Sequence, residues 1–438
     1  MKITELFENE NQQLNEGVEA RIHHVEDLVL WNGSEGALRA ISALESLEQG
    51  KHQDVTIKWD GKPAIIFGRD ENGDFILTDK SGFNAKSYDG KPKSAAAVKQ
   101  MFGKRNPNKS EEQAIFAGNM ARLFNLYKNS FPKHVIGFLS GDLLYLDTPP
   151  LENGEFVFTP NVVTYKVDEN SDIGQQINAS SSGVVVHKFI TPDGIESEVP
   201  QSILGQMING EVLYFPPVTI ERAPNINNVD AKEAKNLVMQ YGAQIDNMLN
   251  TETLVQLKMK DLPTIFYTYM NNKVDTGLTN LGNDFFNWLG TSKVSAPKQQ
   301  RLGRYLEEHA DAFNGLWSIV NAIIKIKLSV INQFDKHDMP IKAFIGAEPG
   351  GEGYVMNHSQ GSIKLVDRTG FTAANRQANA RPVAESRDEK CPEACCGKPI
   401  HECKCGPECK HCDCYEKNKS KNESVNALVN IKRLSGLS

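Results

Sequence analysis

The sequence predicts an α+β fold: antiparallel sheets, a long helical insertion, and a small cysteine-rich module towards the C-terminus. Three observations carry this. Runs of β-formers, alternating or continuous, occupy 54–80, 135–146, 154–167, 181–190 and 342–371. Helical periodicity dominates 202–341. All eight cysteines fall between Cys391 and Cys414. The expected layout is a sheet domain begun over 1–201, a helical insertion over 202–341, and completion of the sheet domain over 342–373. A linker, the cysteine-rich module and a tail fill 374–438.

Taken in order, residues 1–50 read as helical, with Leu28, Leu38, Ile41, Leu44 and Leu47 on one face and Gly50 as the stop. The period then switches to two through VTIKW, PAIIFGR and FILTDK. Asp60-Gly61 and Asn72-Gly73 read as the hairpin turns between these strands. Residues 94–130 return to helix. VIGFLSGDLLYL, GEFVFTPNVVTYKV and SSGVVVHKFI read as strands of a buried sheet. Residues 374–390 are polar and linker-like, and SVNALVNIKRLSGLS suits one helix.

A chain of 438 residues is long enough for two or three domains. Its apolar fraction of 39% and charged fraction of 24% are ordinary for a soluble globular protein. No segment approaches the roughly 18 to 20 apolar residues of a membrane span. The N-terminus MKITELFENENQQLNEG lacks the apolar region of a secretory signal. A cytoplasmic protein without a membrane partner is therefore expected. The net charge of −7 argues against a generally basic nucleic-acid coat. A local basic site remains open, because Lys86, Lys91, Lys93, Lys99, Lys104, Arg105 and Lys109 occur with few acids between them.

Lys58-Trp59-Asp60-Gly61 resembles motif I of the covalent nucleotidyltransferases, the superfamily of DNA ligases, RNA ligases and capping enzymes. The other motifs of that superfamily follow in order. GFLSGDLLY supplies Asp142 where motif III usually has Glu. GEFVFTP supplies Phe156 and Phe158 for the aromatic that stacks on the base. Glu352-Gly353-Tyr354-Val355 matches motif IV. SIKLVDRTGF supplies Lys364 for motif V, with Arg368 beyond it; the second lysine of the usual pair is missing. SSGVVVHKF lacks an acid before Gly183, where Ser182 stands, and reads as a structural strand, or as motif IV if the helical insertion is a separate domain; Glu352 is the favoured choice. The resemblance covers roughly 50–190 and 342–371. It implies an antiparallel-sheet nucleotidyltransferase (ATP-grasp-like ligase) domain.

The resemblance also implies a chemistry. Lys58 attacks the α-phosphate of ATP, a lysyl-AMP forms, and AMP passes to a 5′-phosphate that is then sealed to a 3′-hydroxyl. The lysine must lose its proton, held near pH 10.4 in water, before it can attack. Asp60, Gly61, Lys80, Phe158, Lys364 and Arg368 are the implied nucleotide contacts. Asp142 and Glu352 are hard oxygen donors suited to Mg²⁺. Arg69 reads as structural. The short stretch after Phe371 is not strand-rich, which favours an RNA-ligase-like over a DNA-ligase-like protein. The overall layout resembles uncharacterised proteins of large tailed phages, which implies the host cytoplasm. A second reading keeps the fold without catalysis, as a nucleic-acid-binding or virion-associated scaffold; Asp142 and the missing motif V lysine support it.

The cysteine cluster is a separate signal. Cys391, Cys395, Cys403, Cys405, Cys409 and Cys412, together with Cys396, Cys414, His401 and His411, are candidate ligands for one or two Zn²⁺ ions. Cys409 and Cys412 have good chelating spacing; the other spacings leave the partners open. A module this small would need metal to fold.

Overall fold

In a computed structural model of the chain, the described residues are 23–379, apart from 86–89, 105–109, 208–209, 338 and 358–361. Contacts divide the chain into two units, 1–373 and 374–438. The cysteines, the tail and residues 380–390 of the expected linker lie outside the described residues; residues 374–379 of that linker are helical instead.

The first unit has mixed α and β structure. Its main strands are β1 (His23–His24), β2 (Val55–Ile57), β3 (Ala64–Arg69), β4 (Phe75–Thr78), β5 (Gly137–Tyr145), β6 (Glu155–Phe158), β7 (Val163–Asp168), β8 (Ser182–Ile190), β9 (Val212–Tyr214), β10 (Ile341–Ile345), β11 (Tyr354–Met356) and β12 (Ile363–Leu365). The helices used below are α1 (Leu28–Glu48), α2 (Ala95–Gly103), α3 (Ser110–Ser130), α4 (Asn228–Met248), α5 (Leu262–Lys273), α6 (Ala310–Asp335) and α7 (Arg368–Asn379).

The strands form three mainly antiparallel sheets. One has the order β1-β12-β11-β2, with only β1 parallel to its neighbour. A second runs β8-β5-β3-β4, with β9 added parallel to β8. The third runs β10-β7-β6. Local chemistry explains the ends of several elements. Asp70 caps the β3–β4 turn, its carboxylate accepting from the Asn72 and Asp74 amides at 3.0 Å each. Gly73 supplies the positive φ of +78° that this turn needs. Asn227 and Ser94 cap α4 and α2 through their side chains.

Four expectations change. First, Asp60-Gly61 is not a hairpin turn. β2 pairs with β11, while β3 pairs with β4 and β5, so the segment crosses between two sheets. Second, Leu38 is 50% exposed on α1, on the face away from Leu28, Ile41, Leu44 and Leu47. Third, the helical region is not a separate insertion. β9 still belongs to the second sheet, and the long helices begin only at Asn228. One apolar core joins α1, α4 and α6 to Val55, Met356, Ile363 and Leu365 of the first sheet. Fourth, α6 is long and apolar enough by composition to cross a membrane. Its Leu316, Trp317, Val320 and Ile323 are instead packed in that core.

Candidate functional site

Lys58 follows directly on β2 and is positioned by its neighbours' backbones. The Ile57 amide donates to the Val218 carbonyl, and the Lys58 amide to the Gly353 carbonyl, each at 2.9 Å. Lys58 Nζ forms an ion pair with Glu352 Oε1. Gly353 has φ +131°, and a Cβ there would stand 2.4 Å from the Leu365 carbonyl, so the Glu-Gly pair is sterically required. On β12, Lys364 lies beside Val355 of β11 and His24 of β1. Lys58, distant in sequence, thus lines one cavity of about 210 Å³ with Glu352 and Lys364, which the β11–β12 pairing holds close to each other. The Lys58 and Glu352 side chains are 22% and 18% exposed, so the pair is reachable but largely shielded. Burial pushes the Glu352 carboxyl up, with Lys58 opposing. Burial, followed by the Lys58 charge, pushes the Lys364 ammonium down.

Asp60 serves the loop. It is buried, and its carboxylate accepts from Asn161 Nδ2 and from the Val162 and Val163 amides at 2.9, 2.9 and 3.3 Å. Its own amide donates to the Tyr165 hydroxyl at 2.6 Å. Gly61 lies against β5, where a Cβ would meet Asp142 Cβ at 2.6 Å and the Leu143 carbonyl at 2.8 Å. Asp142 is therefore next to the Lys58 loop, and its charge acts on Glu352. Asp142 Oδ2 is engaged by His187 Nε2 at 2.8 Å. The β5–β8 register passes from Ser140 opposite Lys188 to Gly141 opposite Val186, leaving His187 as the extra residue of a β-bulge. Bulges re-aim side chains, and this one turns His187 onto Asp142. Sequence reasoning missed His187 because SSGVVVHKF carries no trace of a bulge.

The remaining expected contacts are dispersed. Phe158 is buried in the core beneath the site, with Tyr165 and Tyr145 centroids at 5.5 and 5.6 Å, and does not line the cavity. Lys80 is exposed in a single helical turn, Lys80–Phe83, after β4 rather than on the strand. Arg69 donates to the Pro132, Gly73, Lys128 and Phe131 carbonyls, the structural role expected of it. In the basic stretch, Lys93 bridges Asp70 and Asp74 and Lys91 covers the Phe83 ring. Lys86, Arg105 and Lys109 lie outside the described residues.

Arg368, at the start of α7, lines the cavity but belongs equally to a buried charge cluster. Its guanidinium meets Asp27 Oδ1 at 2.7 Å and Glu26 Oε1 at 3.4 Å, and donates to Asn271 Oδ1 on α5. Lys327 of α6 completes the cluster on Glu26 at 2.8 Å. Burial opposes ionisation of Glu26, but Lys327, His24 and Arg368 outweigh it and hold the carboxyl at about 2. Burial raises Asp27 to about 6 against the pull of Arg368. His24 and Asn271 also line the cavity. Neither is in any motif; the parallel β1–β12 pairing and the packing of α5 bring them in.

Among the described residues no group of three or more His, Cys, Asp or Glu is arranged to hold a metal ion. Asp142 Oδ1 and Glu352 Oε2 are the carboxylate oxygens not bonded to a protein cation. The zinc candidates Cys391, Cys395, Cys403, Cys405, Cys409 and Cys412 lie outside the described residues.

A family model matches residues 19–379. The chain belongs to the family of unknown function DUF6267. The matched span takes in the helices as well as the sheets, and with them Lys58, Asp142, Glu352 and Lys364. It stops before the first cysteine. No curated protein and no solved structure matches the chain.

Proposed function

We propose that this chain is an ATP-dependent, polynucleotide-ligase-like nucleotidyltransferase that works through a lysyl-AMP on Lys58 and joins nucleic-acid ends, RNA being the expected substrate. The convergence of Lys58, Glu352 and Lys364 on one cavity carries the reading. Glu352 and Lys364 meet through the local β11–β12 pairing; what supports the reading is that the distant Lys58, first of the three motifs in the superfamily's order, is brought to the same cavity by β2. The finer assignment, a nucleotidyltransferase domain built from the first two sheets, rests on the same convergence.

In the proposed step Lys58 Nζ bonds to the α-phosphorus of ATP, the α–β phosphoanhydride breaks, and pyrophosphate leaves with its electron pair. The Lys58 ammonium must first lose a proton. Glu352 is the base in contact with it, and its burial favours the protonated carboxyl. Lys364 offsets charge on the α-phosphate. Asp142 Oδ1, and Glu352 through its second oxygen, would hold Mg²⁺ brought with the triphosphate; the ion supplies charge neutralisation. Positioning and electrostatics are what such a transfer asks of a protein.

Incubation with α-labelled ATP and Mg²⁺, followed by denaturing gel and intact mass, tests the reading. Wild type should gain one AMP and Lys58→Ala none. Folded wild-type protein that takes no label from ATP, GTP or NAD would sink it, leaving the scaffold reading in front. Labelled protein offered nicked RNA and nicked DNA then identifies the acceptor.

A further inference from the structure

The cavity beside Lys58 is small. At about 210 Å³ it lies below the roughly 300 Å³ at which pockets begin to enclose whole small molecules, so it holds part of a nucleotide rather than all of it. Its polar wall has a strong bias in charge. Lys58, Lys364 and Arg368 face it, against the single carboxylate of Glu352, which is already paired to Lys58. The Asp27 and Glu26 carboxylates bonded to Arg368 are not among the lining residues.

Three groups on this wall lack partners among the described residues. The half-buried Lys364 ammonium makes no ion pair or hydrogen bond there. Lys364 is disfavoured by burial and then by the Lys58 charge, a situation that an anion would relieve. His24 Nδ1 is buried and unbonded. Asn271 is the most telling. Arginine can only donate, so the Asn271 oxygen must face Arg368, as it does. That choice commits the Asn271 NH₂ elsewhere; Asn271 is an exposed residue, so this amide is open to solvent or to a ligand. An ammonium without an ion pair, a buried imidazole nitrogen without a partner and an oriented, exposed amide, around one small cavity of positive bias, describe an anion site.

The geometry points to a pyrophosphate-binding subsite formed by His24, Asn271 and Arg368, which receives the β- and γ-phosphates of the nucleoside triphosphate, with Lys364 shared between it and the α-phosphate. This assignment rests on the nucleotidyltransferase reading for the identity of the anion, but not for the existence of the site. It gives the helical layer a role that no motif assigns: α5 and the β1 strand build the wall facing the leaving group. Leaving-group charge develops as the α–β bond breaks, and donors already fixed by Arg368, Asp27 and Glu26 need no reorganisation to meet it.

The test uses the full chain and pyrophosphate alone, titrated calorimetrically, with inorganic phosphate as the smaller comparison. Asn271→Asp is the informative variant. It keeps an oxygen on Arg368, so the buried cluster survives, but replaces the free donor with an anionic acceptor. Pyrophosphate should bind wild type more tightly than phosphate, and Asn271→Asp should weaken it at least about tenfold, as loss of a hydrogen bond to a charged group does. Lys364→Gln should weaken it by a similar factor, and serves alone if Asn271→Asp shows a lowered melting temperature. Wild type that binds no pyrophosphate, or folded variants that bind it as wild type does, would overturn the subsite. The two readings fail separately. Pyrophosphate binding lost in Asn271→Asp, in a protein that never forms lysyl-AMP, keeps the subsite and discards the transferase. Lysyl-AMP formation whose inhibition by pyrophosphate is unchanged in both variants does the reverse.

Discussion

Two charged clusters meet at Arg368 and differ in how completely they are paired. Behind the residue, Lys327, Glu26, Asp27 and Arg368 are all under 6% exposed and joined by contacts of 2.7 to 3.4 Å. In front of it, Lys58, Glu352 and Lys364 are partly exposed, and one of three charges has no counter-ion among the described residues. The first cluster connects α6, α7 and the turn before α1, and each of its charges has a counter-ion, although Glu26 Oε2 and Asp27 Oδ2 are buried without a hydrogen bond. The second keeps an excess of positive charge facing a cavity. Burying ions is tolerable only when they are paired. An arrangement that leaves one unpaired is stable only by a margin, and the natural use of that margin is a ligand.

The contrast can be broken from either side. The largest expected effect is on chemistry: Lys58→Ala should abolish lysyl-nucleotide formation outright, while its stability in a thermal melt falls by about 1–2 kcal/mol, because Glu352 loses its counter-ion but can take up a proton instead. Removing a lysine from the closed cluster should do the opposite. Lys327→Ala leaves Glu26 buried without its main counter-ion and should destabilise the fold by about 3–5 kcal/mol in urea titration. If Lys327→Ala melts like wild type, the closed cluster is not structural and the comparison collapses. Between these lies Asp60. Asp60→Ala removes the acceptor for two backbone amides and one side-chain amide, and should cost about 2–4 kcal/mol with reduced labelling, because the loop carrying Lys58 loses its anchor.

These residues also mark where the sequence was legible. The β-runs, the Asn72-Gly73 turn and the helices of 228–335 follow from periodicity and turn chemistry, which are local. Lys58, Glu352 and Lys364 were found by motif order, and the sheets bring them together. What failed was long-range. Asp60-Gly61 has the composition of a hairpin turn, yet strand pairing is decided by partners such as β11, far along the chain. Phe158 alternates with the same period as a ligand-facing aromatic, and only packing against Tyr145 and Tyr165 shows that its face is inward. Nothing local marks Glu26 and Asp27 as a buried charge cluster, because their partners Lys327 and Arg368 come from the other end of the unit. His187, His24 and Asn271 depend on a bulge, a parallel edge pairing and a helix approach, none of which has a residue-level code.

The smallest expected effect separates stability from function at one position. Lys364 is held below its usual ionisation range by burial and by Lys58, so the fold disfavours its charged form. The sign follows from proton counting. Between the lowered folded value and the unfolded value of 10.5, the unfolded chain binds the proton and the folded chain does not, so stability rises with pH across that window. Below it the penalty is present in full. Lys364→Met should remove the penalty, making the protein more stable than wild type at pH 7 by about 1 kcal/mol while adenylation slows. As pH rises towards 10.5 the wild type should catch up, and the difference between the two urea midpoints should shrink. A Lys364→Met variant that is less stable at pH 7, or whose advantage grows with pH, would mean that Lys364 is satisfied in the folded protein. The open cluster would then be as closed as the one behind it.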